Sequence, residues 1–157
     1  MKLVLLFTGK TVEEYTRKAV DVYLDRLKHY VPVQVEILPD IKASPHLSAE
    51  QVKAKEAGAI LSWVKPENTV VLLDERGVEQ SSEQFAAWLQ KKMNSGSRQL
   101  VLVIGGPYGF DSSVYEAVSE RISLSKMTFS HQMVRVFLTE QLYRAMTILH
   151  NEPYHHA

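Results

Sequence analysis

The 157-residue chain has no cysteine, which excludes disulfide cross-links, thiolate metal centres and a cysteine nucleophile and is compatible with a reducing compartment. It has no surplus of charge either. Lys plus Arg and Asp plus Glu both number 18, so overall charge gives no argument for a polyanionic partner, and any nucleic-acid contact has to be local. Long apolar runs are missing: the N-terminal MKLVLLFTGK meets a glycine and a lysine within ten residues, too soon for a complete signal peptide or a membrane span. A cytoplasmic protein without a membrane partner is expected. Several catalytic signatures are absent as well. There is no Gly-x-Ser-x-Gly for a serine nucleophile and no His-Glu-x-x-His for zinc. His131, His150, His155 and His156 cluster late in the chain, but without cysteines or ligand spacing they do not make a metal site, and no metal is expected.

Glycine and proline are sparse, at seven and six, yet three of the glycines and one proline gather in Ile104-Gly105-Gly106-Pro107-Tyr108-Gly109-Phe110. The stretch lacks the Gly-Lys-Ser/Thr ending that reaches terminal phosphates. It also follows the fourth expected strand and not the first, so it is not a dinucleotide fingerprint. What remains is room for close backbone approach, or simply a tight structural turn.

Against these absences stand 45% hydrophobic residues, with seven tyrosines and five phenylalanines, enough to fill the core of one domain over residues 1–157. Apolar runs bounded by turn residues predict strands over Leu3 to Phe7, Val33 to Leu38, Thr69 to Leu73 and Arg98 to Ile104. Helical spacing of Tyr15, Ala19, Val22, Tyr23, Leu27 and Tyr30 predicts a helix from Val12 to Tyr30, and alanine-rich Ala49 to Val64 a second. Asp74 to Gly77 reads as the end of the third strand. Ser81 and Gln84 form a capping-box signature for a helix reaching Asn94, with Gly96 as its stop. Asp111 can cap a helix carrying Val114, Val118 and Ile122, and a last long helix starts near His131. Pro153 then leaves the tail Tyr154 to Ala157 free of that helix. Alternating strands and helices predict an α/β domain with a mostly parallel sheet and helices on both faces.

In such sheets ligands bind beyond the carboxyl ends of the strands. Three loops qualify: those at Asp74, at Gly105 and at Ser123 to Ser130. Leu124-Ser125-Lys126-Met127-Thr128-Phe129 is rich in apolar residues for a loop. It can sandwich a flat base while backbone groups and hydroxyls read its edge, or it can be an irregular edge strand. Glu140 and Arg144 stand one helical turn apart, the spacing of a solvated ion pair.

Taken together and in order, Leu72-Leu73-Asp74, IGGPYG, SLSKMTFSHQMVR, EQLYRA and NEPYHHA resemble the family of bacterial ribosomal RNA large-subunit methyltransferase H, the pseudouridine N3-methyltransferases of 23S rRNA. The likeness spans essentially the whole chain. It implies a SPOUT-type α/β fold with a C-terminal trefoil knot and one SPOUT methyltransferase domain over residues 1–157. It implies S-adenosylmethionine bound by Leu73, Gly105, Leu124, Ser125, Lys126, Met127, Thr128 and Phe129. It further implies a homodimer acting on 23S rRNA within the 70S ribosome, one subunit's pocket being completed by the other's C-terminal portion, with the base entering near Arg144, Tyr154 and His155. Tyr143 and Met146 on the last helix offer area for that partner, or they are intramolecular core. Relatives often carry several basic residues in the loop corresponding to Asp40 to Ser48, where this chain has only Lys42 as a fixed positive charge.

The implied chemistry needs no metal and no covalent nucleophile, because the methyl donor is already activated. Positioning by Arg144 and Tyr154 ranks first, with Arg144 stabilising charge on the base carbonyls; general-base action by His155 ranks second. A non-catalytic ribosome binder and a nucleotide-binding regulatory protein are the alternatives from another class.

Overall fold

A computed structural model of the protein describes residues 1–41 and 44–156; Lys42, the lone fixed cation of its loop, lies outside the described residues. The strands are β1 (Lys2–Thr8), β2 (Val33–Leu38), β3 (Asn68–Glu79), β4 (Gln99–Ile104) and β5 (Arg121–Ser123). The helices are α1 (Glu14–Leu27), α2 (Ala49–Leu61), α3 (Ser82–Met93), α4 (Ser112–Ala117) and α5 (Met133–Leu149). One sheet forms in the order β2-β1-β4-β3-β5, and every strand pairing in it is parallel.

The near-continuous apolar runs of β1, β4 and β3 put them in the middle, where both faces are covered. Alternation then sorts their side chains. Leu3, Leu5, Phe7, Leu100, Leu102 and Val71 meet α1, α3 and α5 on one face, while Val4, Leu6, Val101, Val103 and Leu72 meet α2 and α4 on the other. A fully buried leucine contributes about 2 kcal/mol, so these two layers supply most of the driving force. Helix starts are chemically fixed: Ser48 with Gln51 and Ser81 with Gln84 form reciprocal capping boxes, and Asp111 accepts from the Ser113 amide.

Three expectations need correction. β3 does not stop at Asp74. After a register shift between Leu73 and Val78 it resumes pairing with β5 through Val78 and Glu79. Gly77 makes this possible, since a Cβ there would lie 2.7 Å from the Ile122 backbone. Ile122 in turn belongs to β5 and not to a helix, because α4 ends at Ala117 and Val118 is already extended. On α1 the buried stripe is Thr16, Val20 and Leu27, whereas Tyr15 and Val22 are exposed; Thr16 can be buried because its hydroxyl donates to the Glu13 carbonyl at 2.7 Å. Of the two readings of Tyr143 and Met146, the intramolecular one describes their surroundings within the chain. Met146 is in the core, and the Tyr143 ring sits 6.2 Å from Tyr23, 6.2 Å from Tyr30 and 4.7 Å from Tyr154.

Candidate functional site

Beside the bend in β3 at Leu73 to Arg76 and at the carboxyl ends of β4 and β5 the chain leaves a cavity of about 660 Å³, within the size range of small-molecule sites. Residues 105–110 shape one wall. The Gly109 amide donates to the Gly106 carbonyl at 3.1 Å, closing a turn with Pro107 at its second position and Gly109 at φ 79°, a conformation that favours glycine. The two preceding glycines make room behind the loop. A Cβ on Gly105 would sit 3.0 Å from the Phe110 ring, and one on Gly106 would sit 3.1 Å from Glu56 Oε1. A valine at 105 would therefore press on Phe110, so that substitution tests packing as much as binding.

The opposite wall is the segment after β5. Ser123 Oγ donates to the Ser125 carbonyl at 2.7 Å, and the Met127 amide donates to Ser125 Oγ at 2.9 Å, so short-range hydroxyl contacts hold an otherwise irregular loop. Thr128 Oγ1 donates to Glu75 Oε2 at 2.5 Å, tying this wall to the bend in β3. Leu73, Ile104, Leu124, Met127 and Phe129 give the cavity apolar surface. Phe129 is backed by Phe137 with ring centres 4.8 Å apart.

Polar groups around the cavity are strongly organised. The Tyr115 hydroxyl donates to Asp74 Oδ2, the Arg76 amide donates to Oδ1 at 2.8 Å, and the Arg121 guanidinium lies 4.7 Å over the Tyr115 ring. Burial pushes the Asp74 carboxyl up, but these hydrogen bonds and the charges of Arg76 and Arg121 outweigh it and hold it below the ordinary value. Burial lowers His131, aided by Arg135, so the imidazole at the cavity's edge is neutral at pH 7. Glu56 is pushed up by burial and by the nearby Asp40. A carboxyl whose folded pKa exceeds its unfolded value contributes stability at acid pH that is lost as pH rises through the folded pKa. Glu56→Gln, with no proton to lose, is thus expected to raise the urea midpoint at neutral pH and to leave it unchanged at pH values below the usual carboxylate range. An equal gain at both would show that charge is not the cause.

A second polar cluster lies on α5 and the tail. Arg144 Nε and Nη2 donate to Glu140 Oε1 at 3.0 and 2.6 Å, and the Tyr154 hydroxyl donates to the same oxygen at 3.0 Å. Arg144 Nη1 lies 3.1 Å from His155 Nδ1, and His155 Nε2 lies 2.9 Å from Glu83 Oε1. Burial, then Tyr23 and Glu140, raise the Tyr154 phenol well above its ordinary value, and Glu140 raises Arg144. The tail is therefore docked and not free. The Tyr30 hydroxyl adds a further tie at 2.6 Å to Glu152.

Of the residues singled out from sequence, Leu73, Gly105, Leu124, Ser125, Met127, Thr128 and Phe129 line the cavity together, while Lys126 does not. Arg144, Tyr154 and His155 come together with one another but none lines the same chain's cavity. Sequence reasoning missed Glu83 and read Glu140 only as the partner of Arg144 in a solvated ion pair. The Glu140 spacing to Arg144 was visible, but the convergence of Tyr154 on the same carboxylate is set by the fold. Among the described residues no group of three or more His, Cys, Asp or Glu could hold a metal ion, and none of their helices is long and apolar enough to cross a membrane.

Comparison with known proteins places these features in context. A family model described as "Predicted SPOUT methyltransferase" matches residues 1–155. Ribosomal RNA large subunit methyltransferase H of Porphyromonas gingivalis (strain ATCC 33277) is 57% identical over 156 residues, covering 99% of each chain. The protein of the same name from Parabacteroides distasonis is 54% identical, again over 99% of each. A solved structure, that of a probable methylase family protein from Haemophilus influenzae Rd KW20, aligns with 96% of this chain and 66% of its own at 14% identity and a TM-score of 0.49.

Proposed function

This chain belongs to the SPOUT methyltransferases, in the family of ribosomal RNA large subunit methyltransferase H, and on that premise we propose that it transfers a methyl group from S-adenosylmethionine to N3 of a pseudouridine in the 23S rRNA of the assembled ribosome. The observation that carries this reading is the convergence of the loops after β4 and β5 and the bend in β3 on one cavity of about 660 Å³. Its composition fits the cofactor: Leu124, Met127 and Phe129 offer apolar faces to an adenine, and backbone groups of residues 105–110 and 124–129 stand beside them for its polar edge. Leu73, Gly105 and the segment Leu124 to Phe129 are the proposed binding residues; Lys126 belongs to that segment but does not itself line the cavity.

When bound, S-adenosylmethionine supplies a methyl group activated by its sulfonium charge. The protein's task is to align the pyrimidine and to favour loss of its N3 proton. Orientation alone can contribute up to about 7–11 kcal/mol. Arg144 stays protonated, and it stabilises charge growing on the carbonyl oxygens flanking N3 while Tyr154 provides a face for the base. Because Arg144, Tyr154 and His155 do not line their own chain's cavity, a homodimer in which the partner's tail faces the cavity is part of the proposal. So is action in the cytoplasm, where assembled ribosomes are.

Two measurements test it. Phe129→Ala removes one apolar wall outside the buried core and is expected to weaken S-adenosylmethionine about tenfold by calorimetry, the equivalent of about 1.4 kcal/mol. Labelled cofactor should methylate ribosomes that carry the pseudouridine without its methyl group, and should methylate free 23S rRNA poorly. Tight cofactor binding with no methyl transfer to any ribosomal substrate would favour a regulatory or binding role.

A further inference from the structure

We propose that Glu140 is a positioning residue for methyl transfer, and that together with Glu83 it holds the Arg144 and His155 pair in a single hydrogen-bonding pattern. The inference rests on the reading above, in which Arg144 faces the target base. One oxygen, Glu140 Oε1, receives Arg144 Nε at 3.0 Å, Arg144 Nη2 at 2.6 Å and the Tyr154 hydroxyl at 3.0 Å. The guanidinium carbon also lies 4.7 Å from the Tyr154 ring centre. A single largely buried carboxylate thus fixes both the plane of the guanidinium and the plane of the phenol.

The third contact of Arg144 assigns His155 a tautomer in this pattern. A guanidinium has donors only and does not lose its charge in the working pH range, so Arg144 Nη1, 3.1 Å from His155 Nδ1, has to donate. Nδ1 therefore carries a lone pair and no proton. The ring hydrogen is on Nε2, where it points to Glu83 Oε1 at 2.9 Å. In this pattern both nitrogens of His155 are engaged, so the ring holds the guanidinium and has no free nitrogen to accept the substrate proton.

The consequence for Arg144 is selective. With Nε, one hydrogen of Nη2 and one of Nη1 committed to Glu140 and His155, each terminal nitrogen keeps one hydrogen for another acceptor. Fixed donors of this kind need no reorganisation as charge develops on the carbonyl oxygens of a base, which is the condition for strong transition-state stabilisation.

The test is steady-state methyl transfer to ribosomes lacking the modification, using Glu140→Gln and Glu140→Ala with Arg144→Ala run beside them. We expect kcat to fall about tenfold for Glu140→Gln, which keeps an oxygen but loses the charge, and about 100-fold for Glu140→Ala. The calorimetric affinity for S-adenosylmethionine and its KM should stay at the native values, a split that general unfolding would not give. Native kcat in Glu140→Ala with an impaired Arg144→Ala overturns the inference and leaves the functional reading standing. Native kcat in both overturns the reading and the inference with it. Should Glu140→Ala fail to fold, the isosteric Glu140→Gln decides alone: native kcat overturns the role. Long-range proton–nitrogen NMR correlations at neutral pH give an independent readout. The His155 ring should show the Nε2–H tautomer, and a ring protonated on Nδ1 overturns the pattern.

Discussion

Replacing Arg144 by alanine is expected to lower methyl transfer to ribosomes about 100-fold or more, without weakening S-adenosylmethionine. The reason is geometric. Arg144 touches Glu140, Tyr154 and His155 but lines no part of its own chain's cavity, so its loss leaves the cofactor walls intact and removes charge stabilisation from the reacting base. Deleting Tyr154 to Ala157 should have a comparable effect, since it removes the face on which a base can stack, worth about 1–3 kcal/mol, and frees the guanidinium from His155. The same separation predicts rescue in a mixture. Ser125→Trp would fill the cavity while leaving Arg144 in place. Subunit exchange between it and Arg144→Ala produces mixed dimers with one sound cavity facing one sound arginine. Random pairing makes half the dimers mixed, with one working site of two, so recovery to about a quarter of native activity is expected. No recovery, with both variants dimeric and exchanging, would mean that each chain works on its own.

How far these residues could be read from the sequence depends on the range of the interactions that fix them. Leu3 to Phe7 and Leu100 to Ile104 were legible because a parallel strand covered on both faces is written as an unbroken apolar run, and nothing distant is needed to recognise it. The start of α3 was legible for a similar reason, as Ser81 and Gln84 satisfy one another's backbone partners within four residues. The second half of β3 was not. Asp74-Glu75-Arg76-Gly77 looks like a turn, and it pairs only because β5 arrives from later in the chain and Gly77 lets it approach closely.

The candidate site divides along the same line. The loops after β4 and β5 follow from strand order and direction, and their convergence on one cavity is a property of parallel sheets; the third wall segment, at Asp74, proves to be a bend within β3 and not a strand end. Gly105 illustrates the limit: its place in the wall was visible, but only the fold reveals that its missing side chain accommodates Phe110. Glu140 and Arg144 announce themselves as an ordinary surface pair by spacing. What makes them different is burial under Tyr154 and the anchoring of His155 on Glu83, contacts that span 14 and 72 residues of sequence.

Arg135→Ala is expected to be the most damaging single change to the fold, lowering stability by about 3 kcal/mol or more. Arg135 is completely buried, 0% exposed, at the start of α5. Its Nη2 donates to the Thr8 carbonyl at 2.7 Å, its Nη1 to Thr11 Oγ1 at 2.9 Å, and its guanidinium lies 4.8 Å over the Phe7 ring. These contacts fasten α5 to the end of β1, directly behind the cavity wall that His131 and Val134 provide. Opposing them is the cost of burying a cation, which brings the Arg135 pKa down to about 10, only partly offset by Asp40, and leaves Nε without a partner among the described residues. Alanine relieves that cost but opens a cavity of side-chain size and strands the Thr8 carbonyl, and each of these outweighs the relief. Methionine separates the two effects. It fills most of the volume and carries no charge, so Arg135→Met should lose no more than about 1.5 kcal/mol, whereas Arg135→Lys keeps the charge but not the two-pronged reach and should fall between them. Urea midpoints measured in parallel give the order. A methionine variant as unstable as the alanine one would assign the role to the hydrogen bonds alone, and an alanine variant within about 0.5 kcal/mol of native would mean that the buried guanidinium contributes nothing net to the fold.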